Sequence, residues 1–202
     1  MTPKPRIAVI LGTTRPSRWG ETPAQWIRDR IEADGRMDAD ILDVAAYDLP
    51  LFDERASNKW MPSADSRAVK WQNDLAGYDG FVFVVAEYNH SISGALKNAL
   101  DQAFNEWNRK PAAALGYGGV GAARAVQHLR EIAVELRMAN VAPGVHIGGG
   151  DFIKVHPLGG DPRPLSEIEG SIGASADAMI GELYWWAEML RGARAEDRRK
   201  AA

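Results

Sequence analysis

Five short apolar runs divide the chain, and residues with helical spacing fill the gaps between them. Ile7–Leu11 and Phe81–Val85 are apolar without a break, the pattern of strands covered on both faces of a parallel sheet. Asp40–Val44, the alanine-rich Pro111–Leu115 and Val141–Ile147 complete a set of five predicted strands. Helices are predicted from Thr22 through Ile31, over Arg67–Ala76 with Val69 and Leu75 facing the core, over Gly94–Trp107, over Ala122–Met138 and over Leu165–Leu190. Thr22 is placed to cap the first of these, with Gln25 reaching back and Pro23 at the start. The Gly- and Pro-rich stretch Gly148–Pro164 reads as a long loop, and Glu196–Lys200 as a frayed, solvated end.

Alternation of strand and helix through five strands predicts an α/β fold, a doubly wound parallel sheet between two helical layers. Five strands admit the flavodoxin-like order 2-1-3-4-5, in which the loops after strands one and three meet at the switch point and build one pocket. With no internal repeat or linker, residues 1–202 read as a single domain. Composition narrows the chemistry: there is no cysteine, so thiol catalysis, disulfides and thiolate metal sites are excluded. A net charge of −3 supplies no global field for nucleic acid or anionic membrane, and no stretch reaches the length of a membrane span. The N-terminus has no signal-peptide core, which makes a cytoplasmic protein the expectation.

The loop after strand one, Gly12-Thr13-Thr14-Arg15-Pro16-Ser17-Arg18-Trp19-Gly20-Glu21, places hydroxyls and two arginines directly before a helix N-terminus. Backbone N–H groups and the helix dipole favour an anion there, and arginine adds charge-assisted donors, so phosphate is the natural guest. The simpler reading is a polar turn whose hydroxyls cap the helix. A Walker A motif is absent because the Gly-Lys-Ser/Thr ending is missing. The loop after strand three, Glu87-Tyr88-Asn89-His90-Ser91, offers an acid, an aromatic ring, an amide and a hydroxyl. Together the two loops suggest a flat mononucleotide lying across the sheet edge.

At these residues the chain resembles the NADPH-dependent FMN reductase family. Gly12-Thr13-Thr14-Arg15 matches its Gly-Ser-Thr-Arg loop. Glu87-Tyr88-Asn89-His90-Ser91 and Leu96-Lys97-Asn98-Ala99-Leu100-Asp101 match its two-part signature. Asp48-Leu49-Pro50-Leu51-Phe52 resembles its Leu-Pro loop, and Gly118-Gly119 with Arg124-Ala125 its Gly-Gly-x-Arg-Ala region. The matches run from Ile7 to Ile147. Departures are Ala86 and Ser93 where proline is common, and Gly116-Tyr117 in place of a small hydroxyl.

The resemblance implies an FMN-containing oxidoreductase: hydride passes from NADPH or NADH to flavin N5, then electrons to a small-molecule acceptor such as a quinone, free flavin, metal ion or azo compound. It implies that Thr13, Arg15, Ser17 and Arg18 hold the FMN phosphate, with Trp19 and Gly20 shaping the loop. It further implies that Glu87, Tyr88, Asn89, His90 and Ser91 line the ribityl chain and ring, and that Gly118 and Gly119 let backbone approach the ring. No acid–base catalyst and no metal are called for, since the flavin carries the chemistry. The family is usually dimeric or tetrameric, which makes a homo-oligomer the expectation. A flavodoxin-like electron carrier without nicotinamide activity is the rival.

Several residues have a second reading. Tyr88 could pack on the core, and Glu87 could cap or pair with Lys97. Lys97, Asn98 and Asp101 suit hydrogen bonds that brace the loop. His90 next to Ser91 hints at a nucleophile and base, but no Gly-x-Ser-x-Gly elbow is present. His128, His146 and His156 lack metal-ligand spacing and read as packing or surface residues. Gly116-x-Gly118-x-x-Gly121 matches the dinucleotide fingerprint formally, but follows strand four rather than strand one. Trp185-Trp186 belongs either to the core or to a subunit interface.

Overall fold

A computed structural model describes residues 3–201. Strands β1 (Arg6–Leu11), β2 (Asp38–Asp43), β3 (Gly80–Ala86), β4 (Pro111–Tyr117), β5 (Ala139–Asn140) and β6 (Val145–Ile147) are all parallel. Their order is β2-β1-β3-β4-β5, and β6 also pairs with β4, so β5 and β6 are two pieces of one edge position. That is the flavodoxin-like arrangement, with the fifth strand interrupted. The break falls at Val141–Gly144, where Pro143 has no N–H to give a ladder.

Helices α1 (Glu21–Asp34), α2 (Ser66–Ala76), α3 (Gly94–Asp101), α4 (Ala123–Glu135), α5 (Gly149–Val155) and α6 (Glu169–Ala201) cover the sheet. The pleat sorts the strand residues between two cores. Ile7, Val9, Leu11, Val82 and Val84 meet Ile27 and Ile31 of α1, Phe152 of α5 and Ile172, Met179 and Leu183 of α6. Ala8, Ile10, Phe81, Phe83 and Val85 meet Trp71 of α2, Leu96 and Leu100 of α3 and Leu129 of α4. The alanines of β4 are explained by what stands beside them. Ala112 pairs with Phe81 and Ala114 with Phe83, and the Phe81 ring lies 4.7 Å from Trp107. Large rings on one strand leave room only for small residues on the next.

Some local expectations are corrected. Helix α1 begins at Glu21, and its cap position is Gly20, with no side-chain cap from Thr22. Gly20 is required by packing: a Cβ there would stand 2.7 Å from Leu11 and 2.8 Å from the Tyr117 hydroxyl. Val69 is 37% exposed, and the buried face of α2 is Ala68, Trp71, Gln72 and Leu75. Helix α3 ends at Asp101, and Trp107 is buried beyond it in a run of turns. The supposed loop after Gly148 contains α5, because Phe152 and Val155 pack into the core despite the helix-poor glycines. Helix α6 continues through the segment expected to fray, tied down where Arg194 Nη2 meets Asp79 Oδ1 at 2.6 Å and Arg109 pairs with Asp197.

Candidate functional site

The loops after β1, β3 and β4 converge at the carboxyl edge of the sheet. Ser93, at the cap of α3, joins the first two: its hydroxyl donates to the Gly12 carbonyl and accepts from the Leu96 N–H at 3.1 Å. A proline at this position could do neither, so the departure at Ser93 has a physical use.

In the β1 loop the two arginines differ sharply. Arg18 Nη1 donates to the Thr13 carbonyl at 2.7 Å and to Asp43 Oδ1 at 2.8 Å. Its Nη2 donates to Asp43 Oδ2 at 2.6 Å and to Glu21 at 2.8 Å, and its Nε to Glu21 at 3.0 Å. A guanidinium has five N–H donors, and all are engaged. Arg15 is exposed and lies over the Tyr88 ring, 5.5 Å from its centroid, and among the described residues it forms no ion pair. Thr13 is only 1% exposed, and its Oγ1 lies beside the Tyr117 hydroxyl but, among the described residues, has no partner in hydrogen-bonding geometry. Among the described residues, the backbone amides of Thr14, Arg15 and Ser17 donate to no protein acceptor. Trp19 is buried edge-on against Tyr117, 5.1 Å between centroids, and contacts Phe152 and His156. A cleft of about 340 Å³ opens here, lined by Arg15, Ser17, Arg18, Trp19, His156, Pro157 and Leu158.

In the β3 loop, Tyr88 and Ser91 exchange backbone hydrogen bonds of 2.8 and 3.0 Å across Asn89 and His90. Both central residues have positive φ, 50° and 68°, as a type I′ hairpin turn requires, and Asn and His are among the residues that tolerate it best. Glu87 pairs with Arg124 at the start of α4, Nε to Oε1 at 2.6 Å, not with Lys97. Burial pushes the Glu87 carboxyl up, but Arg124 outweighs it and holds the group below the usual carboxylate range. Lys97 instead meets Asp101 at 2.7 Å. Asn98 is a brace, but for another loop: it donates to the Pro50 carbonyl at 2.7 Å and accepts from the Phe52 N–H at 2.9 Å. His90 Nε2 lies 2.9 Å from Arg124 Nη1, and Ser91 Oγ lies 2.7 Å from His128 Nδ1. The nucleophile–base pairing of His90 with Ser91 is therefore absent. The Tyr88 hydroxyl is buried without a partner.

Gly118 has φ of 144°, a conformation that disfavours a side chain, and a Cβ on Gly119 would meet nothing within 4 Å. Both lie on the turn after β4, next to Glu87, whose Cβ is 4.0 Å from where a Gly118 Cβ would stand. Gly116 and Gly121 serve packing instead, since a Cβ on Gly116 would stand 2.5 Å from the Gly121 carbonyl. Sequence reasoning missed Asp43, Arg124, His128 and His156 as neighbours of the site, and missed that Glu21, at the end of the β1 loop, pairs with Arg18. Arg124 alone had a signal, the Gly-Gly-x-Arg-Ala match.

An orphaned buried hydroxyl, free amides in the β1 loop and an arginine without an ion pair among the described residues fit a phosphate, and the open glycine turn fits a flat ring beside it. Fold and site together define a mononucleotide-binding α/β protein of flavodoxin-like architecture. The chain belongs to the NADPH-dependent FMN reductase family, whose sequence model matches residues 5–151. It is 35% identical over 144 residues to the NAD(P)H-dependent FMN reductase ntnL of a Nectria species, covering 68% of this chain and 72% of that one. It is 33% identical over 138 residues to a 2-hydroxy-1,4-benzoquinone reductase of a Burkholderia species, covering 65% and 71%. The solved structure of FerB, a flavoenzyme NAD(P)H:(acceptor) oxidoreductase from Paracoccus denitrificans, shares the fold with a TM-score of 0.66 at 21% identity, covering 92% of this chain and 98% of that one. The protein is accordingly an NAD(P)H-dependent oxidoreductase that uses FMN.

Proposed function

We propose that FMN lies across the carboxyl edge of the sheet, its phosphate in the β1 loop and its ring between the β3 and β4 loops. The observation that carries this is the buried, unpartnered Thr13 Oγ1 beside the free amides of Thr14, Arg15 and Ser17. Thr13, Arg15 and Ser17 hold the phosphate. Arg18, with every donor engaged, is a strut that ties the loop to Asp43, and Trp19 and Gly20 set its shape. Tyr88, Asn89, His90 and Ser91 line the flavin with the rigid turn they form, and Glu87 holds that turn to α4 through Arg124. Gly118 and Gly119 leave the ring room. When bound, the flavin supplies the redox chemistry, taking a hydride from NADPH or NADH and reducing a small-molecule acceptor of quinone type.

The rim of this edge carries Arg15, which forms no ion pair among the described residues, with His90, His128 and an Arg124 that is matched by Glu87. Such a rim suits anionic dinucleotides and small acceptors better than the acidic docking face of an electron carrier. The test is anaerobic addition of NADPH or NADH to the yellow protein. Bleaching of the flavin absorbance, reversed by a quinone, is expected. A flavin left oxidised by both nicotinamides would instead establish the carrier reading.

Residues 1–202 act as one domain in this reading, and use of NAD(P)H supports a cytoplasmic location. A homodimer or homotetramer is supported by two exposed apolar patches: Leu51 (82% exposed), Trp60 (73%) and Met61 on the loop after β2, and Trp185 and Met189 on α6. Among the described residues, no helix is long and apolar enough to cross a membrane.

A further inference from the structure

The anion cleft has a wall that lies beyond residues 5–151, the part of the chain matched by the family model. Directly after α5, the His156 ring packs between Phe152, 4.5 Å away, and Trp19, 5.3 Å away. Its Nδ1 accepts a hydrogen bond from the Leu158 N–H at 3.1 Å. An imidazole nitrogen that accepts carries no proton, so the neutral ring must hold its proton on Nε2. That leaves a donor of defined tautomer on a residue that lines the cleft with Arg15 and Ser17.

Two features keep the ring neutral. Burial, then the nearby Arg15, push the imidazolium down from its ordinary value. Protonation of Nδ1 would also break the bond to Leu158. Before any ligand arrives the ring is therefore a neutral donor, and the aromatic stack holds it in place. The arrangement couples the loop that follows α5 to Trp19, and through it to the β1 loop.

We infer that His156 is a further binding residue of the phosphate pocket, donating from Nε2–H to a phosphomonoester held by Thr13, Arg15 and Ser17. This rests on the placement of the FMN phosphate proposed above. The pocket's selectivity for a phosphorylated flavin over an unphosphorylated one then comes from both sides of the cleft, one cationic and one neutral. The cationic side supplies most of the attraction, and the neutral side fixes where the phosphate oxygens sit.

The experiment titrates flavin-free protein with FMN and with riboflavin, which lacks the phosphate, following quenching of flavin fluorescence. Three variants separate the roles. His156→Asn keeps an acceptor for the Leu158 N–H but cannot reach the cleft; His156→Gln keeps the reach; Arg15→Ala removes the cation. His156→Asn is expected to weaken FMN about tenfold, the scale of a hydrogen bond to a charged group, while leaving riboflavin unchanged. His156→Gln is expected to recover most of that loss. Equal weakening of both flavins by His156→Asn, or no weakening of FMN, would overturn the inference while Arg15→Ala still discriminates. If Arg15→Ala also fails to discriminate FMN from riboflavin, the phosphate placement itself falls, and the inference with it.

Discussion

The two ends of the sheet use charge in opposite ways. At the amino edge, cations are matched by near neighbours. Arg6 meets Asp40 at 2.9 Å, Arg194 meets Asp79 and the Arg109 carbonyl, and buried Lys110 donates to the Leu75 carbonyl at 2.9 Å. These contacts fasten α6 and the strand starts together. At the carboxyl edge, among the described residues, Arg15 forms no ion pair, Thr13 Oγ1 and the Tyr88 hydroxyl have no partner in hydrogen-bonding geometry, and backbone amides of the β1 loop stand open. The amino edge leaves buried Asn108 Oδ1 without a partner but matches the cations just named, whereas the carboxyl edge leaves a cation, two hydroxyls and several amides open. Arg18 shows that the division is not simply by location, because it lies at the carboxyl edge and is matched like a residue of the amino edge.

Replacing Arg18 with alanine should give the largest effect. It leaves Asp43 without its bidentate partner and frees the loop, so stability is expected to fall by about 3 kcal/mol in urea denaturation. Arg15→Ala should do the reverse, weakening FMN by about 1.5–3 kcal/mol in a binding titration while stability changes by less than about 0.5 kcal/mol. If Arg18→Ala hardly altered stability and Arg15→Ala lowered it, the assignment of strut and ligand would have to be exchanged. At the amino edge the effect is smaller and depends on pH. Burial, with Arg194 adding to it, pushes the Lys110 ammonium down to about 8 from a usual value of 10.5. Between those values the unfolded chain holds a proton that the folded chain has released, so stability from this group rises with pH across the window. Urea titrations at both ends of the window should show wild type gaining on Lys110→Met. A constant difference between them would mean that Lys110 is as hydrated as a surface lysine.

The parallel sheet was legible because β1 and β3 are buried on both faces and read as unbroken apolar runs. Where packing outweighs local preference, reading along the chain stopped short. Gly149 and Gly150 argue against a helix, yet Phe152 and Val155 hold α5 in place. The break in the edge strand at Pro143 could have been read, since proline cannot donate to a ladder. For the site, the types of residue were visible but their partners were not. Arg18 and Asp43 stand far apart in sequence, as do Glu87 and Arg124, and Ser91 and His128. Two arginines in one loop look alike until the carboxylates that saturate one of them are in place.

The interrupted fifth strand also bears on how copies of this chain could meet. An open sheet has two rims, each a potential template for a strand from another molecule. Here one rim is cut into pieces of two and three residues around Pro143 and Gly144. The other is β2, where Asp38, Asp40 and Asp43, paired with Lys4, Arg6 and Arg18, line the rim with charged side chains that blunt it as a template. Neither rim invites growth by strand addition. Association is thereby steered to side chains on helices and loops, where it can stop at a closed assembly instead of propagating into a fibre.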